Sequence, residues 1–187
     1  MSCHAHSLAL SRGFLCLEDV DLIGEGVALL PPDRPVSVVD LGAGSGTTAL
    51  SVFAARSRSI TVTTFDIDPV ALDSTEECMS NAGYRLLWQR VQSESWNTAD
   101  NHLRFAAAEG LSFFDMLLID ASHHEEDVRR DLEAWLPLLR PGAPVWAHDY
   151  TWDYPGVIKA IDEAEAAGQL EFIKTAGWGW LGRKVQL

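Results

Sequence analysis

Residues 38–46 read V-V-D-L-G-A-G-S-G, a loop whose residue types suit close contact with a small charged ligand. Gly42, Gly44 and Gly46 allow tight turning and a near approach of backbone to that ligand. Glycines alone would serve NAD, FAD or a nucleoside equally well, but Thr47 stands where a dinucleotide fingerprint needs its third glycine. Asp40 lies two residues before the first glycine, and a carboxylate there opposes a pyrophosphate docking on a helix N-terminus. It suits a ligand that carries an ammonium and a sulfonium. Asp66 ends the apolar run 60–66, 20 residues after Gly46, where a carboxylate can accept both hydroxyls of a ribose. The competing role is a helix N-cap, which Asp68 fills better because Pro69 follows it.

A second group of reactive residues lies between 114 and 150. A strand over 114–119 leads into Asp120, and Ser122-His123-His124-Glu125 matches the S-x-x-E capping box. This predicts a helix that holds His123 in its first turn, where the dipole keeps the imidazole neutral. Such a histidine at a strand edge is either a general base or a solvated surface residue. Asp149 ends the next strand, so Asp120 and Asp149 are expected side by side. Two carboxylates that close repel unless a proton or cation lies between them. Oxygen donors favour Mg²⁺ or Mn²⁺, which can chelate a diol and lower a hydroxyl pKa. The alternative for Asp149 is a cap on the following loop. His148 points to the opposite face of a regular strand from Asp149, so hydrogen bonding in the core is its default role.

Short apolar runs alternating with amphipathic stretches place these residues on successive βα units. Strands are expected over 36–41, 60–66, 87–91, 114–119 and 144–149, with helices over 46–56, 69–81, 98–109 and 123–140. An N-terminal helix over 17–30 presents Val20, Ile23, Val27 and Leu30 on one face. A loop, T-W-D-Y-P-G, precedes a helix over 157–167, and the runs 170–175 and 180–185 read as a hairpin. Right-handed crossovers bring the strand ends together, so Asp40, Asp66, Glu94, Asp120 and Asp149 share one edge. Trp152 and Tyr154 follow at that edge, as acceptor or lid contacts or as packing against the N-terminal helix. Trp178 and Trp180 are read as core or dimer surface.

The 187 residues carry 14 Lys+Arg against 27 Asp+Glu, a formal charge of −13 that disfavours nucleic acid and anionic membranes. No run approaches the roughly 18 apolar residues of a membrane span, and residues 1–10 lack the features of a signal peptide. Cys3, Cys16 and Cys78 form no paired motif, which points to a reducing, cytoplasmic setting. One domain over 1–187 is expected, with a helical segment at 1–35 and an α/β core over 36–187.

D-L-G-A-G-S-G followed by F-D-I-D-P resembles the class I S-adenosylmethionine-dependent methyltransferases. The resemblance implies a Rossmann-like three-layer αβα sandwich with about seven mostly parallel strands and a C-terminal antiparallel hairpin. It implies that Asp40, Gly42, Ala43, Gly44 and Gly46 line the methionine side, Asp66 and Ile67 the ribose, and Ser93 and Glu94 the adenine, with Asp120 beside the cofactor. The run I-D-A-S-H, then L-L-R-P-G, H-D-Y and G-V-I-K-A-I-D-E, is similar to the metal-dependent O-methyltransferases of the macrocin and mycinamicin type. That similarity implies metal ligation by Asp120 and Asp149 with His148 as a further ligand, His123 as the base, and Asp120 as a catalytic residue as well. At the His148 position those enzymes carry an acid, and their N-terminal extensions are far larger, so sugar specificity does not transfer. A small hydroxylated acceptor and a homo-oligomer are expected. The alternatives are a non-catalytic S-adenosylmethionine-binding subunit and a nitrogen- or carbon-directed enzyme; I-D-A-S replaces the Asn/Asp-Pro-Pro-Tyr element common in nitrogen-directed ones.

If this reading of the loop holds, calorimetry will show micromolar S-adenosylhomocysteine binding and none of NAD. Asp66→Ala should weaken that binding by roughly 1.5–3 kcal/mol, the scale for hydrogen bonds to a charged group. An unchanged affinity would remove Asp66 from the site.

Overall fold

The computed structural model describes residues 15–97, 99 and 114–185. Apart from Ala99, the helix expected over 98–109 lies outside them, as does Cys3. Chain order is α1 (Leu17–Ala28), β1 (Val36–Leu41), α2 (Thr47–Ala55), β2 (Ile60–Asp66), α3 (Pro69–Ala82), β3 (Trp88–Gln92) and β4 (Met116–Ile119). Then follow α4 (Glu125–Trp135), a 3-10 turn (Leu136–Leu138), β5 (Pro144–Ala147), α5 (Pro155–Ala166), β6 (Leu170–Ala176) and β7 (Gly179–Lys184).

The seven strands form one sheet in the order β3-β2-β1-β4-β5-β7-β6. Strands β1 to β5 pair in parallel, and β7 runs antiparallel to both β5 and β6. This is the Rossmann-like sheet with a terminal hairpin that the sequence led us to expect. Successive residues of each central strand serve opposite faces, as the two-residue period requires. Val38, Val62 and Leu118 pack with Ile23, Phe53 and Met79 of α1, α2 and α3. Val39, Leu117 and Val145 pack with Trp135 and Ile161 of α4 and α5. Because both faces are covered, the central strands read as continuous apolar runs. Among the described residues no helix is long and apolar enough to cross a membrane.

The strand order reverses between β1 and β4, and there the crossovers leave a crevice at the strand ends. Gly42 follows β1 with φ +98°, and a Cβ on it would overlap the Asp120 carbonyl oxygen. Only glycine lets the loop after β1 pass so close to the end of β4.

Three of the boundaries that differ from expectation bear on the site. Strand β5 stops at Ala147, two residues early, because Asp149 adopts φ +56° and cannot continue a ladder. Pro137 converts the end of the α4 segment to a 3-10 turn. Helix α4 begins at Glu125 with His124 as its N-cap, so His123 precedes the helix and is not in its first turn. The acid that closes this start is Asp127, whose Oδ2 accepts the Ser122 hydroxyl at 2.8 Å, while Glu125 pairs with Arg129 and Lys159. With His123 outside the helix, the dipole effect expected of a first-turn position does not apply to it.

Inside α4, Asp131 is buried and accepts the Ser95 hydroxyl. Burial pushes its carboxyl up from 3.8 to about 7, against the opposing Ser95 hydrogen bond. The folded state therefore holds this proton more tightly than the unfolded chain, a stabilisation present below pH 3.8 and lost as pH rises through 7. Asp131→Asn, which cannot ionise, should be more stable than the wild type at pH 8, by at most about 4 kcal/mol. The gap should close towards pH 4 in urea titrations. Equal pH dependence of the two proteins would show that Asp131 ionises as a solvated acid does.

Candidate functional site

At the switch point lies a cleft of about 460 Å³, and it gathers residues from four strand ends. Gly42, Gly44, Asp66, Ile67, Ser93, Glu94 and Asp120 all line it, with Trp96, Asp127 and Asp131 beyond them. Ala43 contributes backbone: its amide donates to Asp66 Oδ2 at 2.7 Å, and its carbonyl accepts the Thr75 hydroxyl at 3.1 Å. Asp66 Oδ1 accepts the Asp68 amide at 2.8 Å. Each Asp66 oxygen thus spends one lone-pair direction on the loop and keeps another for a ligand hydroxyl. Asp68 itself caps α3, accepting the Val70 amide at 2.9 Å. Gly46 sits at the start of α2 in the left-handed region, and a Cβ on it would come within 3.2 Å of the Thr75 side chain.

Asp40 is placed differently from the expectation. It is 1% exposed, lies behind the loop and does not line the cleft. Its Oδ2 accepts the Thr64 hydroxyl at 2.8 Å, and that hydroxyl in turn accepts the Trp88 indole N–H. Its Oδ1 is buried without a partner among the described residues. Burial pushes this carboxyl well above the usual range, with Asp120 and Asp66 adding to the rise. Asp40 is thus a core acid, and the acidic side chains that line the cleft include Asp66, Glu94 and Asp120.

Beside the cleft, Asp120, His148 and Asp149 converge. His148 Nδ1 lies 3.2 Å from Asp120 Oδ1 and 3.3 Å from Asp149 Oδ2. Regular strand alternation would have sent His148 and Asp149 to opposite faces; the left-handed backbone of Asp149 turns its carboxylate back to the histidine. Among the described residues the Asp149 carboxylate is engaged by two histidine side chains and accepts no loop amide. Asp120 belongs to both regions: its Oδ2 accepts the Thr48 hydroxyl at 3.0 Å, and the residue lines the cleft. Burial alone would lower the His148 imidazolium, but hydrogen bonding to Asp120, Asp149 and Asp19 outweighs it and pushes the pKa up to about 12. Asp149 is held below the usual range in spite of burial, through His148 and His123.

His123 Nε2 approaches Asp149 Oδ2 at 2.5 Å, and its ring stacks on Tyr154 at 4.3 Å. The side chain is 42% exposed, at the rim. Trp178, from the hairpin turn, stacks over His148 at 6.3 Å, whereas Trp180 is fully buried in the core. Trp152 stands 90% exposed nearby.

The donor set fits a divalent cation. An octahedral ion with bonds of about 2.1 Å separates adjacent donors by about 3.0 Å, close to the two spacings around His148 Nδ1. All three donor atoms lie within 4.8 Å of one another. Oxygen donors alone would suit Mg²⁺, whereas the imidazole shifts preference towards Mn²⁺ and later transition metals. Sequence reasoning missed Asp19, the residue behind His148. Its signal was an acid on the apolar stripe of α1, four residues before Ile23.

A sequence profile described as "Methyltransferase domain" matches residues 39–150. No curated protein sequence matches the chain. Among solved structures, a protein from Corynebacterium glutamicum superposes with a TM-score of 0.76 at 14% identity, covering 100% of this chain and 92% of its own. A methyltransferase from Geobacter sulfurreducens gives 0.70 at 17% identity, covering 98% and 88%. An O-methyltransferase from Bacillus cereus, solved with SAH, gives 0.65 at 14% identity, covering 100% and 82%. Fold, glycine loop and matched domain agree: the chain belongs to the class I S-adenosylmethionine-dependent methyltransferase family.

Proposed function

We propose that this methyltransferase acts on a hydroxyl of a small molecule, with a divalent cation held by Asp120, His148 and Asp149. The observation that carries this reading is the acid–histidine–acid cluster that shares Asp120 with the cleft. When bound, S-adenosylmethionine supplies a methyl group already activated by its sulfonium, and the cation lowers the pKa of a hydroxyl it binds. What remains for the chain is alignment and proton removal.

Asp66 accepts the ribose hydroxyls, and the loop over 42–46 brings backbone against the methionine portion. Ser93 and Glu94 face the adenine end. Asp120 lies between cofactor and acceptor and ties the two positions together. His123 donates Nε2–H to Asp149 Oδ2, which leaves Nδ1 as the nitrogen able to take a proton. As the acceptor oxygen attacks the methyl carbon, its proton passes to His123, and the carbon–sulfur electron pair stays on sulfur. Asp149 then offsets the imidazolium that forms. Tyr154, stacked on His123, keeps the ring at the rim. The −13 charge and the acidic edge favour a neutral or cationic small acceptor over nucleic acid or an anionic membrane.

With an acceptor found by S-adenosylhomocysteine release from a panel of phenols and alcohols, chelation should suppress turnover. Mn²⁺ should restore it better than Mg²⁺. His123→Gln should lower turnover by about 10²–10⁴, the range for losing a general base, while S-adenosylhomocysteine affinity stays unchanged. Full turnover after exhaustive chelation would remove the metal from the mechanism, and wild-type turnover in His123→Gln would remove the base.

A further inference from the structure

Asp19, in the first turn of α1, is 1% exposed and far in sequence from every motif of the site. Its Oδ1 accepts the Trp178 amide at 2.8 Å, and its Oδ2 accepts the Cys16 amide at 2.9 Å. The same Oδ2 stands 3.5 Å from His148 Nε2, within ion-pair range, and Nε2 makes no hydrogen bond among the described residues. The hairpin turn is shaped to allow this. Gly177 has φ +58°, and a Cβ there would come within 2.6 Å of Asp19 Oδ1. Helix α1 and the β6–β7 turn therefore close around one carboxylate that faces the outer edge of the histidine.

We propose that Asp19 is the positioning residue of the candidate metal centre: it holds the His148 proton on Nε2 and so presents the Nδ1 lone pair to the cation. The inference rests on the metal-assisted reading above. An ionised Asp19 offers acceptors only, and each of its oxygens already accepts an amide N–H, so the imidazole edge turned towards it carries N–H. That leaves Nδ1, on the side of Asp120 and Asp149, as the ligating nitrogen. Trp146 and Trp178 stack on the two ring neighbourhoods at 5.5 and 6.3 Å, with interplanar angles of 20° and 24°, and restrict the ring plane. The indoles set the plane and Asp19 sets the tautomer. A carboxylate behind a ligating histidine also raises its basicity, and losing such a partner typically costs about 10–100-fold in metal affinity.

A purely structural Asp19, acting as a staple between α1 and the hairpin, would leave metal binding unchanged once the protein folds. Two measurements separate the roles. Mn²⁺ titration followed by electron paramagnetic resonance should show Asp19→Asn binding about 10–100-fold more weakly than the wild type. Its S-adenosylhomocysteine affinity should match the wild type and report an intact fold. Independently, long-range ¹H–¹⁵N spectra of the Zn²⁺-loaded wild type should show His148 protonated on Nε2 with Nδ1 bound to metal. Equal Mn²⁺ affinity in the folded variant, or metal on Nε2 in the wild type, would overturn the role of Asp19 alone. A wild type that binds neither Mn²⁺ nor Zn²⁺ would overturn the metal reading and this inference together. If Asp19→Asn does not fold, the wild-type spectra decide the matter.

Discussion

One buried imidazole surrounded by three carboxylates organises the active edge. Asp120 and Asp149 follow adjacent parallel strands, and Asp19 arrives from the N-terminal helix. Negative charge gathered this way in a low-dielectric region needs positive charge at its centre. His148 meets the need as an imidazolium, which accounts for the direction of its own shift and for the low carboxyl values of Asp19 and Asp149. The same arrangement suits a divalent cation, which would take the place of the proton on Nδ1. Proton and metal are competing occupants of one charge-balanced position.

A second buried acid shows why these carboxylates are unusual. Asp115, at the opposite end of β4, is also nearly inaccessible, but Arg34 and Arg140 pair with it and the Ser37 amide donates to it. That is how a buried acid is satisfied when its role is to hold the fold. Asp19, Asp120 and Asp149 have no arginine or lysine partner among the described residues. Their charge is met by imidazole, a group that can yield its proton. Asp120 also joins this edge to the cleft through Thr48, the second residue of the helix that follows the glycine loop. The cleft and the acid–histidine cluster are therefore joined through a single carboxylate.

Much of this was legible in the sequence because parallel strands buried on both faces leave uninterrupted apolar runs, and the acids that end them mark the binding edge. The glycine loop, Asp66 and the Asp68 cap could be located from spacing and local chemistry. What was not legible depended on backbone torsions or on distant segments. The left-handed turn at Asp149 reverses the strand rule that had separated it from His148, and nothing local forecasts φ +56° at an aspartate. The start of α4 slipped by two residues because Asp127 competes with Glu125 for the role of closing acid. Asp40 resembled a ligand-facing acid, yet its strand register directs it into the core beside Thr64. Asp19 and Trp178 come from elements 159 residues apart in sequence and meet only through tertiary packing.

The central claim is that Asp120, His148 and Asp149 together form a metal-binding site beside the cofactor. Crystals grown with S-adenosylhomocysteine and Mn²⁺, measured at the manganese absorption edge, test it most directly. One anomalous peak is expected within bonding distance, roughly 2.1 Å, of Asp120 Oδ1, His148 Nδ1 and Asp149 Oδ2. A fully occupied cofactor cleft with no peak among these three atoms would contradict it, and would leave His148 as the permanent cation of the site.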